Sequence, residues 1–243
     1  MMARFVTAGG IEVPAVSAVQ MREVDRVAVE ETGLSLLQMM ENAGRTLALD
    51  VLEYLGEAWR SAQVVVLAGT GGNGGGGICA ARHLVNRGVD VRLCFSDAQH
   101  LGEISALQRR IFAHAGGQEA APDGLFDLRP ALIVDAVLGY SLQGAPRMSA
   151  SALIQWANAS GIPIVALDVP SGVDATTGAT PGDFVRATRT LALALPKTGL
   201  ITPAAGELAL ADLGIPAATF RRVGLSYHAP FGTRFRIPLI REA

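Results

Sequence analysis

The stretch Gln63-Val-Val-Val-Leu-Ala68 leads directly into Gly69-Thr-Gly-Gly-Asn-Gly-Gly-Gly-Gly77. A continuous, largely β-branched run of this length is typical of a strand that is covered on both faces. Glycine lets the main chain turn tightly and approach a ligand closely, and the free N–H groups at the start of a helix attract an anion. We therefore expect a buried strand, a glycine loop at a ligand site, and a helix from Ile78 to Arg87.

The glycine loop fits one known phosphate-binding pattern and excludes another. Gly69, Gly71 and Gly74 match the dinucleotide pattern G-x-G-x-x-G. The Lys-Ser/Thr pair of a nucleoside triphosphate P-loop does not follow. A dinucleotide fold also places an acidic residue after the second strand to hold the ribose, and Asp97 is the candidate here. A flexible turn without a ligand stays an alternative.

Outward from this loop, strands alternate with helices. This alternation implies right-handed crossovers and a largely parallel sheet. Two amphipathic helices precede the first strand, at 17–31 and 35–55, and each opens with a Ser…Gln capping pair. The further strands are expected at 89–95, 131–137, 162–169 and 189–195, with a short one near the sheet edge at 207–211, and the further helices at 102–115 and 149–160. The fold class is thus α/β, a three-layer Rossmann-like sandwich with a mostly parallel sheet and two extra N-terminal helices.

Composition limits the class of protein. Of 243 residues, 50% are hydrophobic and 17% are charged, which excludes extensive disorder. The net charge of −2 lacks the electrostatic footprint of a nucleic-acid binder. No apolar run approaches the ~18 residues that span a bilayer. We expect a cytoplasmic protein of one domain over 1–243, with a core at about 16–224, a tail at 227–243, and Cys79 and Cys94 as reduced core residues.

Acidic side chains follow two of the predicted strands. Asp135 and Asp168 each come after a run of apolar strand residues, at the strand ends where open α/β sheets bind their ligands. An unpaired buried carboxylate is costly, so each should meet a cation, hydrogen-bond donors or a substrate. The oxygens of Asn73, Asp135 and Ser171 are hard ligands that suit an alkali or alkaline-earth ion. Capping of a turn is the alternative for each aspartate.

Several motifs, taken in order, resemble one known family. They are Met21 with Asp25, the string Leu37-Gln-Met-Met-Glu-Asn-Ala-Gly44, the glycine loop running into Ala80-Ala-Arg-His-Leu84, Asp135-Ala136 with Gly139, Asp168-Val-Pro-Ser-Gly172 with Asp174 and Gly178, and Pro196-Lys197. Together they resemble the YjeF N-terminal domain, whose enzymes are NAD(P)H-hydrate epimerases. The resemblance runs from about Val16 to Gly224.

The resemblance implies an isomerase that interconverts the R and S forms of hydrated NADH and NADPH (NADHX and NADPHX), in its stand-alone form. It implies a potassium ion among Asn73, Asp135 and Ser171, and Asp168 as the catalytic general base and acid. The implied substrate-binding residues are Gly72, Asn73, Gly74, Gly75, Gly76, Gly139, Tyr140, Ser141, Leu142, Gln143, Gly144, Ala145 and Asp168. It also suggests a homodimer and a functional link to a separate ADP- or ATP-dependent dehydratase.

The sequence departs from the family at two positions, since Gly72 and Gly76 stand where the family has Asn and Asp. An intact site with altered affinity is the interpretation that we adopt, because the ion ligands and Asp168 are kept. Two alternatives stay open on sequence alone. One is a non-catalytic nucleotide-binding or dimerisation module of the same fold. The other is an NAD(P)-dependent oxidoreductase, against which the missing ribose-acid context argues.

Overall fold

The computed structural model describes residues 4–242, and within them ten strands form one sheet. The strands are β1 (Arg4–Thr7), β2 (Glu12–Val13), β3 (Gln63–Ala68), β4 (Asp90–Phe95), β5 (Gln118–Glu119), β6 (Leu132–Ala136), β7 (Ile164–Leu167), β8 (Arg189–Leu193), β9 (Glu207–Ala211) and β10 (Arg236–Glu242). The helices are α1 (Ala18–Glu30), α2 (Leu36–Leu55), α3 (Gly72–Val85), α4 (Glu103–His114), α5 (Met148–Ala159) and α6 (Ala217–Arg222). Both predicted N-terminal helices are confirmed, and each begins with a complete Ser–Gln capping box.

The strand order is β2-β1-β10-β9-β8-β7-β6-β3-β4-β5, and the strands from β9 to β5 run parallel. After β3 the chain adds β4 on one side, and it later returns to add β6 on the other side. The order of strands therefore reverses between β3 and β6, which is where open α/β sheets bind ligands.

The central strand β3 is covered on both faces, as its sequence predicts. Val64 and Val66 pack into one hydrophobic cluster with helices α1, α2 and α3. Val65 and Leu67 pack into a second cluster with α5 on the opposite face. The three-layer α/β sandwich is thus confirmed.

The C-terminal stretch corrects the prediction of a tail at 227–243. Residues 236–242 form β10, which pairs antiparallel with β9 on one side and with β1 on the other. Strand β9 is therefore internal to the sheet and not near its edge. Ile237 and Leu239 point into the core while Pro238 between them is exposed. This short alternation, interrupted by a proline, is too weak to predict a strand. Residue 243 lies outside the described residues.

The glycine run also differs from the prediction. Only Gly69 to Gly71 form the loop, and helix α3 begins at Gly72, six residues earlier than predicted from Ile78. A Cβ atom on Gly74 would lie 1.9 Å from the carbonyl oxygen of Gly69, and one on Gly77 would lie 2.4 Å from Cβ of Ala136. The helix thus packs too closely on the sheet for any side chain at these positions. Low helix propensity misled the prediction because packing outweighs it here.

Candidate active site

A cavity of about 730 Å³ opens at the carboxyl ends of the central strands. Its floor is the turn between β3 and α3, and its walls come from α1, α2, the start of α4 and the segment after β6. Asp168, Lys197 and Asp25 supply ionisable side chains at one end of it, and Glu103 supplies one from the start of α4. This is a volume that suits a large part of a dinucleotide.

Asp168 follows β7 directly and is held in an unusual backbone conformation. Its φ is +69°, a left-handed region that aspartate tolerates better than most residues. Its N–H donates to the carbonyl oxygen of Leu191 at 2.8 Å, which fixes that conformation from the neighbouring strand β8. The residue is only 3% exposed, yet it lines the cavity. Such backbone strain is concentrated at functional sites.

The carboxylate of Asp168 is surrounded by donors. Lys197 Nζ donates to its Oδ1, the N–H of Leu193 donates to the same oxygen at 3.4 Å, and the N–H of Tyr140 donates to Oδ2 at 3.3 Å. These donors place the side chain in one orientation toward the cavity.

Lys197 is itself buried, with 1% exposure. Besides Asp168, its ammonium group donates to the carbonyl oxygens of Leu193 at 2.9 Å and Leu195 at 3.2 Å. The chain curls around the ammonium at Ala194, whose φ is +61°. A fully hydrogen-bonded buried ion pair therefore forms one end of the cavity.

Tyr140 links this ion pair to a second carboxyl group. Its hydroxyl donates to Oδ2 of Asp25 at 2.5 Å. Burial raises the pKa of Asp25 and the charge of Asp168 adds to this, against the lowering effects of the Tyr140 hydrogen bond and of Lys197. Burial, together with Asp25, also raises the pKa of the Tyr140 hydroxyl. Sequence reasoning assigned no role to Asp25 or Lys197, although both stand within motifs of the family resemblance.

The start of α3 supplies backbone donors to the cavity. Gly71, Gly72, Asn73 and Gly76 line it, whereas the buried Gly74 and Gly75 do not. The N–H of Gly75 already donates to the carbonyl oxygen of Gly71 at 3.0 Å. The donors free for a ligand are thus those of the first turn, at residues 72–74, since the first N–H groups of a helix have no partner within it.

Asn73, Asp135 and Ser171 are brought together, as the sequence predicts. Asp135 is fully buried, and its carboxylate accepts from Ser171 Oγ at 2.6 Å, the Ser171 N–H at 2.8 Å and the Val137 N–H at 3.2 Å. Asn73 Nδ2 donates to the carbonyl oxygen of Leu138 at 3.0 Å, beside Ser171 Oγ, which accepts from the Leu138 N–H at 2.8 Å. The three side chains surround one short stretch of backbone.

The charge of Asp135 has no cationic partner within residues 4–242. Burial raises its pKa to about 6, and only hydrogen bonds from Ser171 and Val137 oppose this. The atoms in this region that could bind a cation are carboxylate, amide, hydroxyl and carbonyl oxygens. A buried carboxylate that lacks a positive neighbour, among hard oxygen ligands, fits an alkali or alkaline-earth ion.

The segment after β6 reaches the cavity only in part. Gly139, Tyr140, Ser141 and Leu142 line it, and the wall ends there. Gln143, Gly144 and Ala145 lie beyond this wall, where Ala145 sits close to Gly182. Asp97 is likewise outside the wall. Its carboxylate accepts from the N–H groups of Gln99 at 3.0 Å and His100 at 3.3 Å and contacts the His100 ring at 2.7 Å, so it caps a turn.

A second polar cluster joins α2 to α3 outside the cavity. Arg82 donates to Glu41 at 2.5 Å and to the Cys79 sulfur at 3.3 Å, and His83 contacts the other Glu41 oxygen at 2.8 Å. Glu41, Cys79 and His83 lie close enough to share an ion, but a guanidinium nitrogen of Arg82 already contacts all three of them. The cluster clamps two helices and leaves Cys79 as a buried thiol.

Comparisons with known proteins identify the family of the chain. The family model described as "YjeF-related protein N-terminus" matches residues 36–199. A protein of Dehalogenimonas lykanthroporepellens named NAD(P)H-hydrate epimerase is 49% identical over 95% of each chain. A protein of Weissella koreensis with the same name is 37% identical over 83% of this chain and 91% of its own.

Longer proteins match as well. The Escherichia coli protein named bifunctional NAD(P)H-hydrate repair enzyme Nnr is 38% identical over 80% of this chain, which spans only 38% of that protein's length. The crystal structure of the yeast protein ynu0 superposes with a TM-score of 0.80 at 22% identity, covering 93% of this chain and all of that one, and so shows the same fold. By the family model and by these relatives, the chain belongs to the YjeF N-terminal family.

Proposed function

We propose that this protein is an isomerase that interconverts the R and S epimers of hydrated NADH and NADPH, in repair of nicotinamide nucleotides. The observation that supports this most is the buried Asp168–Lys197 pair at one end of a dinucleotide-sized cavity at the β3/β6 crossover. The names of the relatives at 49% and 37% identity point to the same reaction. They do not favour a non-catalytic module.

The chemistry requires a group that moves a proton at oxygen. The carbon to be inverted carries both a hydroxyl group and the ring nitrogen, so it is a hemiaminal. Inversion by loss and return of the hydroxyl, or by ring opening and reclosure, moves a proton on or off that oxygen. We assign this role to Asp168, whose carboxylate faces the cavity and is held by Lys197 and the N–H of Tyr140.

The first turn of α3 is the proposed site for the diphosphate. Its free N–H groups and the helix dipole favour an anion there. The substrate would extend from Asp168, past the segment Gly139 to Leu142, to Gly72, Asn73 and Gly76. The resemblance also implies Gly74, Gly75 and the residues from Gln143 to Ala145 as substrate-binding. We expect these residues to contribute only through the backbone, whose path they set.

We further propose a potassium ion held by Asn73, Asp135 and Ser171. The support is the buried charge of Asp135, which has only hydrogen-bond donors around it in the described part of the chain. When bound, the ion would supply positive charge beside the start of α3. The Asn73 side chain donates to the carbonyl oxygen of Leu138 and so ties the first turn of α3 to the segment after β6. In this way Asn73 would orient that turn toward the diphosphate.

Partners and location stay predictions. A separate dehydratase partner is supported by the longer bifunctional relatives, of which this chain spans about two fifths. Among residues 4–242, no helix combines the length and apolar composition that crossing a bilayer requires. We propose that the protein works in the cytoplasm, and a homodimer is the expectation that the family resemblance gives.

Chromatographic separation of the two NADHX epimers tests the function. The purified protein should bring an isolated epimer to its equilibrium mixture much faster than buffer alone does. Persistence of the pure epimer, with spontaneous conversion only, would exclude the proposal. Reduction of unmodified NAD, or oxidation of unmodified NADH, would favour the oxidoreductase alternative.

A further inference from the structure

Two carboxyl groups face the cavity from different elements, and one tyrosine holds both. The Tyr140 N–H donates to Asp168 Oδ2 at 3.3 Å, and the Tyr140 hydroxyl donates to Asp25 Oδ2 at 2.5 Å. The two carboxyl groups, from α1 and from the end of β7, therefore contact two different polar groups of one residue on the cavity wall.

Their electrostatic surroundings differ. The Asp168 carboxylate faces the ammonium group of Lys197, which neutralises its charge. Within residues 4–242, Asp25 forms no ion pair, and its hydrogen-bond donor is the neutral Tyr140 hydroxyl. Burial raises the pKa of Asp25. Two carboxyl groups in one pocket with unlike surroundings are the arrangement by which enzymes divide the roles of base and acid.

Resting on the proposed epimerase function, we propose that Asp25 is a second catalytic residue, which protonates the departing hydroxyl group while Asp168 activates the water that replaces it. The hemiaminal carbon resembles the acetal carbon of a glycoside. Enzymes that invert a glycosidic carbon place two carboxyl groups about 6.5–9.5 Å apart, which leaves room for the attacking water. Here Tyr140 bonds to both carboxyl groups, and no hydrogen bond joins them directly in the described part of the chain.

The step balances as follows. The lone pair of the ring nitrogen forms a C=N bond as the C–O bond breaks, and the Asp25 proton joins the leaving oxygen, which departs as water. A second water adds to the opposite face of the carbon, its proton passes to Asp168, and the C=N electron pair returns to nitrogen. The product is the opposite epimer, and proton exchange with solvent resets the two carboxyl groups. Running the step backward exchanges their roles.

The test compares Asp25→Asn with Glu23→Gln, a matched loss of a carboxylate on the exposed face of the same helix. For Asp25→Asn we expect the kcat for R-to-S conversion to fall by roughly 10²-fold or more. The Kd of substrate, measured by isothermal titration calorimetry, should change less than about threefold, and Glu23→Gln should match wild type. Near wild-type kcat in a folded Asp25→Asn variant would overturn the proposal.

A second measurement needs no variant. In water enriched in ¹⁸O, each epimerised molecule should gain one solvent oxygen at the inverted carbon, as read by mass spectrometry against unconverted substrate. Epimerisation that retains the original oxygen would overturn the proposal, because it would indicate ring opening. If the wild-type protein epimerises nothing at all, the proposed function fails instead, so the two failures are distinguishable.

Discussion

The ammonium group of Lys197 donates a hydrogen bond to the Asp168 carboxylate, and both side chains are almost fully buried. The two residues come from the segments that follow β7 and β8, which are neighbours in the sheet. The pair therefore couples the proposed catalytic group to the packing of the core, since neither charge can be removed alone without leaving the other unpaired.

This coupling predicts a non-additive effect on stability. Asp168→Asn or Lys197→Met alone should each lower the free energy of unfolding by about 3–5 kcal/mol, because each leaves one buried charge without its partner. The double variant should lose clearly less than the sum. Urea unfolding of the four proteins measures this, and strictly additive losses would mean that the pair is not coupled.

The base assignment predicts a loss of turnover that is specific to one aspartate. Asp168→Asn keeps the shape but removes the proton acceptor, so kcat for epimerisation should fall by roughly 10²-fold or more. Asp97→Asn, which changes an aspartate outside the cavity, is the matched control and should keep wild-type kinetics. Equal turnover in both variants would remove Asp168 from the mechanism.

The proposed ion site predicts a specific response to potassium. The melting temperature of the wild-type protein should rise with potassium concentration, relative to a large organic cation at equal ionic strength. Asp135→Asn, which removes the buried negative charge, should abolish that rise. A chelator of transition metals should leave the melting temperature unchanged. A potassium response that survives in Asp135→Asn would place the ion elsewhere.

The close packing of α3 predicts opposite results at two of its glycines. Gly74→Ala would put a methyl group 1.9 Å from a backbone oxygen, and should lower the free energy of unfolding by more than about 2 kcal/mol. At Gly72 the same methyl group meets nothing within 4 Å, and Gly72→Ala should be neutral or stabilising by up to about 1 kcal/mol. Equal destabilisation in both variants would contradict the packing that the structure shows.

The two cysteines should be inert in the folded protein. Burial raises the pKa of Cys79 to about 12 and that of Cys94 to about 11. Since the thiolate is the reactive form, neither should be alkylated by iodoacetamide at pH 8 in native conditions, and both should react in guanidinium chloride. Mass spectrometry distinguishes the two cases, and rapid native alkylation of Cys79 would show that the α2–α3 clamp opens.

Much of the fold is readable from local signals. The apolar run of β3 and the capping boxes of α1 and α2 predict elements that the structure confirms. Strand β10 is missed because pairing with β1 and β9, which lie far away in sequence, supplies what its own pattern lacks. The start of α3 is missed because six helical positions are occupied by glycine or asparagine, and the close packing that excludes a side chain at Gly74 and Gly77 is not visible in the sequence.

The candidate site is predictable only in part. Asp135 lies at the end of β6, Asn73 in the first turn of the helix after β3, and Ser171 in the loop after β7, so topology brings these oxygen-bearing residues to one edge of the sheet. Asp25 and Lys197 come from a helix and from a loop after β8, where an acidic or basic residue usually faces solvent. Their place in the cavity follows from tertiary packing, which spacing along the chain does not reveal.

The central claim is tested most directly by a coupled assay. R-NADHX is incubated with a dehydratase that accepts only the S epimer, and the return of NADH is followed by its absorbance. We predict that adding this protein raises the rate well above that of spontaneous epimerisation, in proportion to its concentration, and that Asp168→Asn does not. A rate equal to that of the dehydratase alone, at every concentration of the wild-type protein, would contradict the account.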